Sequence, residues 1–179
     1  MTKTADSLEA ASVTPQDAKH PLGLGLDNFM KDLTINTTSA FVAAQQAVSS
    51  FEKLPDTASR TFIYTGNITN VSPIVGLMDL GIGKSATAHI IQCAAEAYKD
   101  KGYKYVPPCS PLRVIVSNEM NPLTTSRFYY ADERKADGAA VYGAIDGPAH
   151  AKFYTELAGG KSQGPWQQTF VKDVGYKKF

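Results

Sequence analysis

Residues 79–91 read DLGIGKSATAHII, a Gly-Lys-Ser at the mouth of an alanine-rich helix. A phosphate-binding loop has the pattern G-x-x-x-x-G-K-[ST], in which backbone N–H groups from the whole turn converge on the phosphates and the lysine caps them. Counting back from Gly83, the first glycine belongs at position 78, where Met78 stands, and Gly76 and Gly81 are at the wrong offsets. The preceding SPIVGLMDL is not a clean buried strand. The stretch therefore reads as a helix whose small residues permit close packing, with Ala86, Ile90, Cys93, Ala94 and Ala97 on one face.

Just upstream, RTFIYTGN (residues 60–67) is a β-branched and aromatic run closed by Gly-Asn, the pattern of a buried strand with a turn at its end. Before it, a helical pattern starts at Asp27. Leu26, Phe29 and Leu33 form one stripe, and Phe41, Ala44, Val48 and Phe51 form another. Asn36 and the Thr37-Thr38-Ser39 run between them predict a kink or a break, because polar and β-branched residues weaken a helix. Downstream, Gly102 is expected to stop the lysine helix. LRVIVS (112–117) and RFYYADE (127–133) read as strands, and GPAHAKFYTELA (147–158) as a last helix with Ala151, Tyr154, Leu157 and Ala158 on one side. Helix, strand, helix and a further strand in that order make a parallel α/β unit. The tail carries Trp166, Phe170 and Tyr176 and is expected to be packed down.

At 179 residues the chain reads as a single domain, 1–179, opening with a polar segment, 1–25. A formal charge of +1 offers no basic stripe to release counterions, so nucleic acid is not an expected partner. Cys93 and Cys109 lie far apart without His or Cys at ligand spacing, so neither a metal site nor a disulfide framework is expected. With no signal-peptide core and no membrane-length apolar run, the expectation is a soluble, cytoplasmic protein without a membrane partner. His89 and His150 read as satisfied or surface histidines, and Asp132 and Glu133, next to Arg134 and Lys135, as a surface charge cluster. No Ser-His-Asp pattern or nucleophile elbow is visible.

With that order of elements in hand, DLTINTTSAFVAAQQAV, TFIYTGN, LGIGKSATAHIIQCAAEAY and KGY together resemble the second half of a short-chain dehydrogenase/reductase. The later RFYYADER, IDGPAHAKFYTELA and TF resemble the ending of a fungal branch of that family. The resemblance implies an α/β fold, a partial Rossmann-like, doubly wound parallel sheet with flanking helices, in which the N-terminal dinucleotide-binding strands are absent. It implies catalytic positions at Asn36, Asn67 and Lys84, with Lys84 also binding the cofactor ribose, and it makes the opening Gly-Lys-Ser the lysine end of a Tyr-x-x-x-Lys. Leu80 stands at the position of the family tyrosine, the general acid/base, and Asn67 stands where the family has its serine. Taken alone, Lys84 could be a solvated helix lysine, Asn36 a cap at the helix break and Asn67 a turn residue.

The implied function is NAD(P)-linked oxidation or reduction of a carbonyl or alcohol on a small molecule, with NADP or NAD as cofactor. GLGLDN is the only text comparable to the family's glycine-rich motif, and no strand precedes it. A competing reading is a non-catalytic pseudoenzyme or assembly protein. In either case the two long helices are expected to pair with their copies in a dimer. The stretch VPPCSPLRVIVSNEMNPLTTS (106–126) reads as an insertion relative to the family, either an extra translated segment or a loop adapted to bind something.

Overall fold

The computed structural model of the chain describes residues 11–55, 57–99 and 126–179. The predicted strand at 112–117, the helix stop at Gly102, and the insertion apart from Ser126 lie outside the described residues. The run TFIYT forms strand β1 (Thr61–Thr65), and RFYYADER forms β2 (Arg127–Arg134). The two pair in parallel, with Thr61 opposite Arg127 and Thr65 opposite Ala131. A third strand, β3 (Gln167–Val171), runs parallel to β2, and the short β4 (Gly175–Tyr176) turns back antiparallel on β3. The order is β1-β2-β3-β4.

The helical pattern from Asp27 becomes α1 (Leu26–Leu33), a π-helical turn (Thr34–Thr38) and α2 (Ser39–Phe51), so the predicted weak point is a bulge in a continuous helix. The lysine helix α3 (Met78–Tyr98) connects β1 towards β2, and α4 (Gly147–Gly159) precedes β3. A parallel pair needs such a crossover, which is the α/β unit anticipated from the sequence.

Three helix faces differ from those expected. On α3 the buried residues are Asp79, Gly83, Lys84, Thr87, Ala88, Ile91 and Ala95, while Cys93 and Ala97 are exposed. Apolarity alone selects the wrong face because three of the inward side chains, Asp79, Lys84 and Thr87, are polar and are hydrogen-bonded where they are buried. On α1 and α2 the inward line begins Asp32, Asn36, Ala40 and Ala44, four apart, and the expected Ala44, Val48 and Phe51 do face the core, whereas Leu26 is 71% exposed and Phe41 45%. On α4 Ala151 is exposed and Phe153 is buried, stacked on Phe170 with ring centroids 4.4 Å apart.

The charges of β2 also require correction. Asp132, Glu133 and Arg134 are buried, because β2 is flanked by strands on both sides. Arg134 Nε donates to Asp132 Oδ2 at 2.6 Å, and Glu133 accepts from the Asp146 N–H at 2.9 Å and faces His150 at 3.3 Å. Burial raises the Asp132 pKa above the ordinary value despite the opposing Arg134. Phe128 of β2 centres the core, in contact with the rings of Phe51, Phe62 and Tyr98 and in one cluster with Ala88, Ile91 and Ala95 of α3.

Candidate functional site

Parallel α/β sheets place ligands beyond the C-terminal ends of their strands, and the chain reaches Asn67 directly beyond the end of β1, while Lys84 and Asn36 both bond to Tyr64 within that strand. The chain leaves β1 through Gly66, where an added Cβ would stand 2.1 Å from the Tyr130 ring. Tyr130 Oη donates to Asn67 O at 2.9 Å and accepts from Asn67 N–H at 3.1 Å. The Asn67 side chain caps the short 3-10 turn Ile68–Asn70: its Oδ1 accepts from Thr69 N–H at 3.0 Å and from Thr69 Oγ1 at 2.5 Å. Asn67 therefore holds the turn, as its sequence context allowed.

Lys84 lies within α3, so the amides around it belong to the helix and no phosphate-binding loop forms. The residue is 4% exposed. Its Nζ donates to Tyr64 Oη at 2.9 Å and to Thr65 O at 3.1 Å, and it stands 4.5 Å from the Tyr64 ring centroid. The solvated-lysine alternative is thereby removed. Leu80, one turn earlier on α3, is half-buried. As an alkyl chain it brings no proton donor.

Asn36 is fully buried at the centre of the π-helical turn. Its side chain is used up by residue 12: Nδ2 donates to Ser12 O at 2.6 Å, and Oδ1 accepts from Ser12 N–H at 3.0 Å. Its main-chain carbonyl accepts from Thr87 Oγ1 at 2.7 Å and from Tyr64 Oη at 3.3 Å. Gly83 makes this approach possible, since a Cβ there would lie 2.4 Å from Asn36 Cβ.

The structure thus joins Lys84 and Asn36 through Tyr64. Asn67 sits at the strand exit, and none of its hydrogen bonds among the described residues reaches either of them. From the sequence, Tyr64 is set aside as no obvious substitute for the family tyrosine, and Thr87 is not singled out at all. The signals were present: Tyr64 and Phe62 alternate on one side of β1, and Thr87 follows Lys84 at helical spacing. Burial pushes the Tyr64 phenol up to about 12 against the opposing hydrogen bond with Thr87.

A second polar cluster anchors residues 12–16. Buried Asp32 of α1 accepts from Ser12 Oγ and from Thr14 Oγ1, the latter at 2.6 Å. Buried Asp79, in the first turn of α3, accepts from Thr14 N–H at 2.8 Å and from Gln16 Nε2 at 2.7 Å. Burial pushes the Asp32 carboxyl up, but hydrogen bonds with Ser12, Thr14 and Asp79, with Lys31 nearby, outweigh it and hold the pKa below the ordinary value.

The described residues fit one end of a nicotinamide dinucleotide and not the other. Lys84 places an ammonium at the strand end, the group expected to meet a ribose. A pyrophosphate needs a helix N-terminus free of negative charge. Here α1 carries Asp27 in its first turn, α3 carries Asp79, and Asp146 caps α4. Among the described residues no group of three or more His, Cys, Asp or Glu is placed to hold a metal ion, and no helix is long and apolar enough to cross a membrane.

No protein-family model matches the chain. It is 49% identical over 170 residues to the short chain dehydrogenase/reductase dmxR12 of Cryptosporiopsis sp. (strain 8999). The match takes in 95% of the chain but spans only 60% of that relative's length. Similarity at this level, together with the mostly parallel sheet and its flanking helices, shows that the chain carries part of a short-chain dehydrogenase/reductase fold.

Proposed function

We propose that the chain belongs to an NAD(P)-linked oxidoreductase that interconverts a carbonyl and an alcohol on a small molecule, with the cytoplasm as its compartment. The observation that supports this reading most directly is the line from Lys84 Nζ through Tyr64 Oη to the Asn36 carbonyl, a buried cation tied to a bulged helix at the C-terminal end of a parallel strand. In this reading Lys84 serves the ribose and the reacting oxygen electrostatically. Asn36 is a support whose carbonyl fixes the site, and the Asn67 amide faces the substrate while its oxygen caps the turn. A nicotinamide would supply the hydride. The reading also includes a homodimer, supported by the apolar side chains Met30, Phe41 and Val42 that α1 and α2 leave exposed.

The test is a titration with NADPH and with NADH, followed by nicotinamide fluorescence. Saturable binding that weakens at least tenfold in Lys84→Met is the expected result. Absence of binding at millimolar concentrations of both cofactors would end the reading for this chain.

A further inference from the structure

Tyr64 is a buried phenol that the proposed chemistry does not consume, and its contacts run in two directions at once. Its oxygen receives an N–H from Lys84 at 2.9 Å on one side and donates to the Asn36 carbonyl at 3.3 Å on the other. The Asn36 carbonyl is a well-held acceptor: it lies in the π-helical turn, Thr87 Oγ1 also donates to it at 2.7 Å, and the Asn36 side chain is pinned by residue 12. The Tyr64 ring is held against Tyr130 with centroids 5.8 Å apart, and Tyr130 is itself locked to Asn67. Such a phenol has little freedom to follow a moving partner. A lysine, by contrast, has four rotatable stem bonds and takes its position from its acceptors.

We infer that Tyr64 is a positioning residue for Lys84: strand β1 and the bulged helix fix the phenol, and the phenol fixes where the ammonium of α3 stands. The inference rests on the preceding reading only for what Lys84 is used for. Among the described residues, Tyr64 on β1 and Asp132 on β2, whose carboxyl is influenced by the Lys84 charge, bear on the ammonium; Tyr130 is coupled to both Tyr64 and Asp132. Asp132 has Arg134 as its direct partner. The Tyr64 phenol is neutral over the working pH range, so it acts on Lys84 as an oriented dipole and an acceptor that favours the charged form.

The experiment reads the titration of Lys84 itself by ¹³Cε NMR, with the resonance assigned by its disappearance in Lys84→Met. In Tyr64→Phe the midpoint is expected to fall by about one pH unit, a tenfold loss of proton affinity. Thr87→Val removes the other donor to the Asn36 carbonyl and leaves the Lys84 midpoint within about 0.3 unit. A purely structural tyrosine would lower the melting temperature of Tyr64→Phe without moving the midpoint, and a folded Tyr64→Phe with an unmoved midpoint overturns the inference. Should that variant fail to fold, 3-fluorotyrosine introduced at position 64 keeps the shape and weakens the acceptor; a fall in the same direction supports the inference, and no fall overturns it. NADPH titration of the unaltered chain separates the two ideas. A shifted midpoint without cofactor binding defeats the oxidoreductase reading alone, and cofactor binding with an unmoved midpoint defeats the role of Tyr64 alone.

Discussion

At the scale of single residues, the site is organised by close approaches that only particular side chains permit. Gly83 lets α3 rest on the π-helical turn, so Gly83→Ala drives a methyl group into Asn36. Loss of about 1–3 kcal/mol in urea unfolding is expected, with the Asn36 contacts disturbed first. The Tyr64 phenol makes a second prediction with a definite sign. Its pKa is about 12 in the folded chain against 10 for an unburied tyrosine. Below pH 10 the group is protonated in both states, and between pH 10 and 12 only the unfolded chain releases the proton. Stability must therefore fall as pH rises through that window, by roughly 3 kcal/mol from this group. Comparing the alkaline unfolding of Tyr64→Phe with that of the unaltered chain checks this, because the variant lacks that share of the slope.

At the scale of elements, two segments are held by charge rather than by apolar burial. Residues 12–16 attach to α1 and α3 through bonds to Asp32 and Asp79, while Val13 among them is 40% exposed. Because the Asp32 pKa is lowered in the folded chain, its contribution is present above the unfolded value of roughly 3.9 and is lost as pH falls through the folded value. The Thr14 amide, bonded to Asp79, should lose hydrogen-exchange protection in acid before the β2 amides do, and Asp32→Ala, which frees the Ser12 and Thr14 hydroxyls from α1, should lower that protection already at neutral pH. Simultaneous loss across both segments would show that residues 12–16 are not a separable unit. In β2, Arg134→Met leaves the buried Asp132 without its cation. A cost of about 3–5 kcal/mol is expected in denaturant unfolding, reduced in acid where Asp132 takes a proton.

These same elements show what the sequence could carry. The β1–α3–β2 unit was legible because β-branched runs and a long alanine-rich helix each have a local period. The helix faces were not, since Asp32, Asn36, Lys84 and Thr87 point inward to polar partners on other segments, and no local period records that. The charges of β2 were misplaced for a related reason: Asp132 meets Arg134, and Glu133 accepts the Asp146 N–H beside His150, only after the strand is enclosed. Of the candidate site, Lys84 and Asn36 were legible through resemblance, whereas Tyr64 becomes visible only when β1 is laid beside α3.

At the scale of the whole molecule, α1 and α2 expose Leu26, Met30, Phe41 and Val42. If these form the dimer contact, the weight-average mass in sedimentation equilibrium rises with concentration, and Phe41→Glu flattens that rise while leaving the far-ultraviolet spectrum intact. A monomer at every concentration would remove the dimer from the proposal. The parallel pairing of residues 61–65 with 127–131 bears on a different property, the order in which the chain folds. The two strands can meet only after the long connection between them has been gathered in, so the loop entropy falls due before any strand contact rewards it. Helix α3 forms from local contacts, and Lys84 must wait for β1 and the bulged helix to arrive before its ammonium has a partner. Refolding should accordingly show helical signal on the microsecond scale, with Tyr64 and Tyr130 becoming buried together in a later, slower phase.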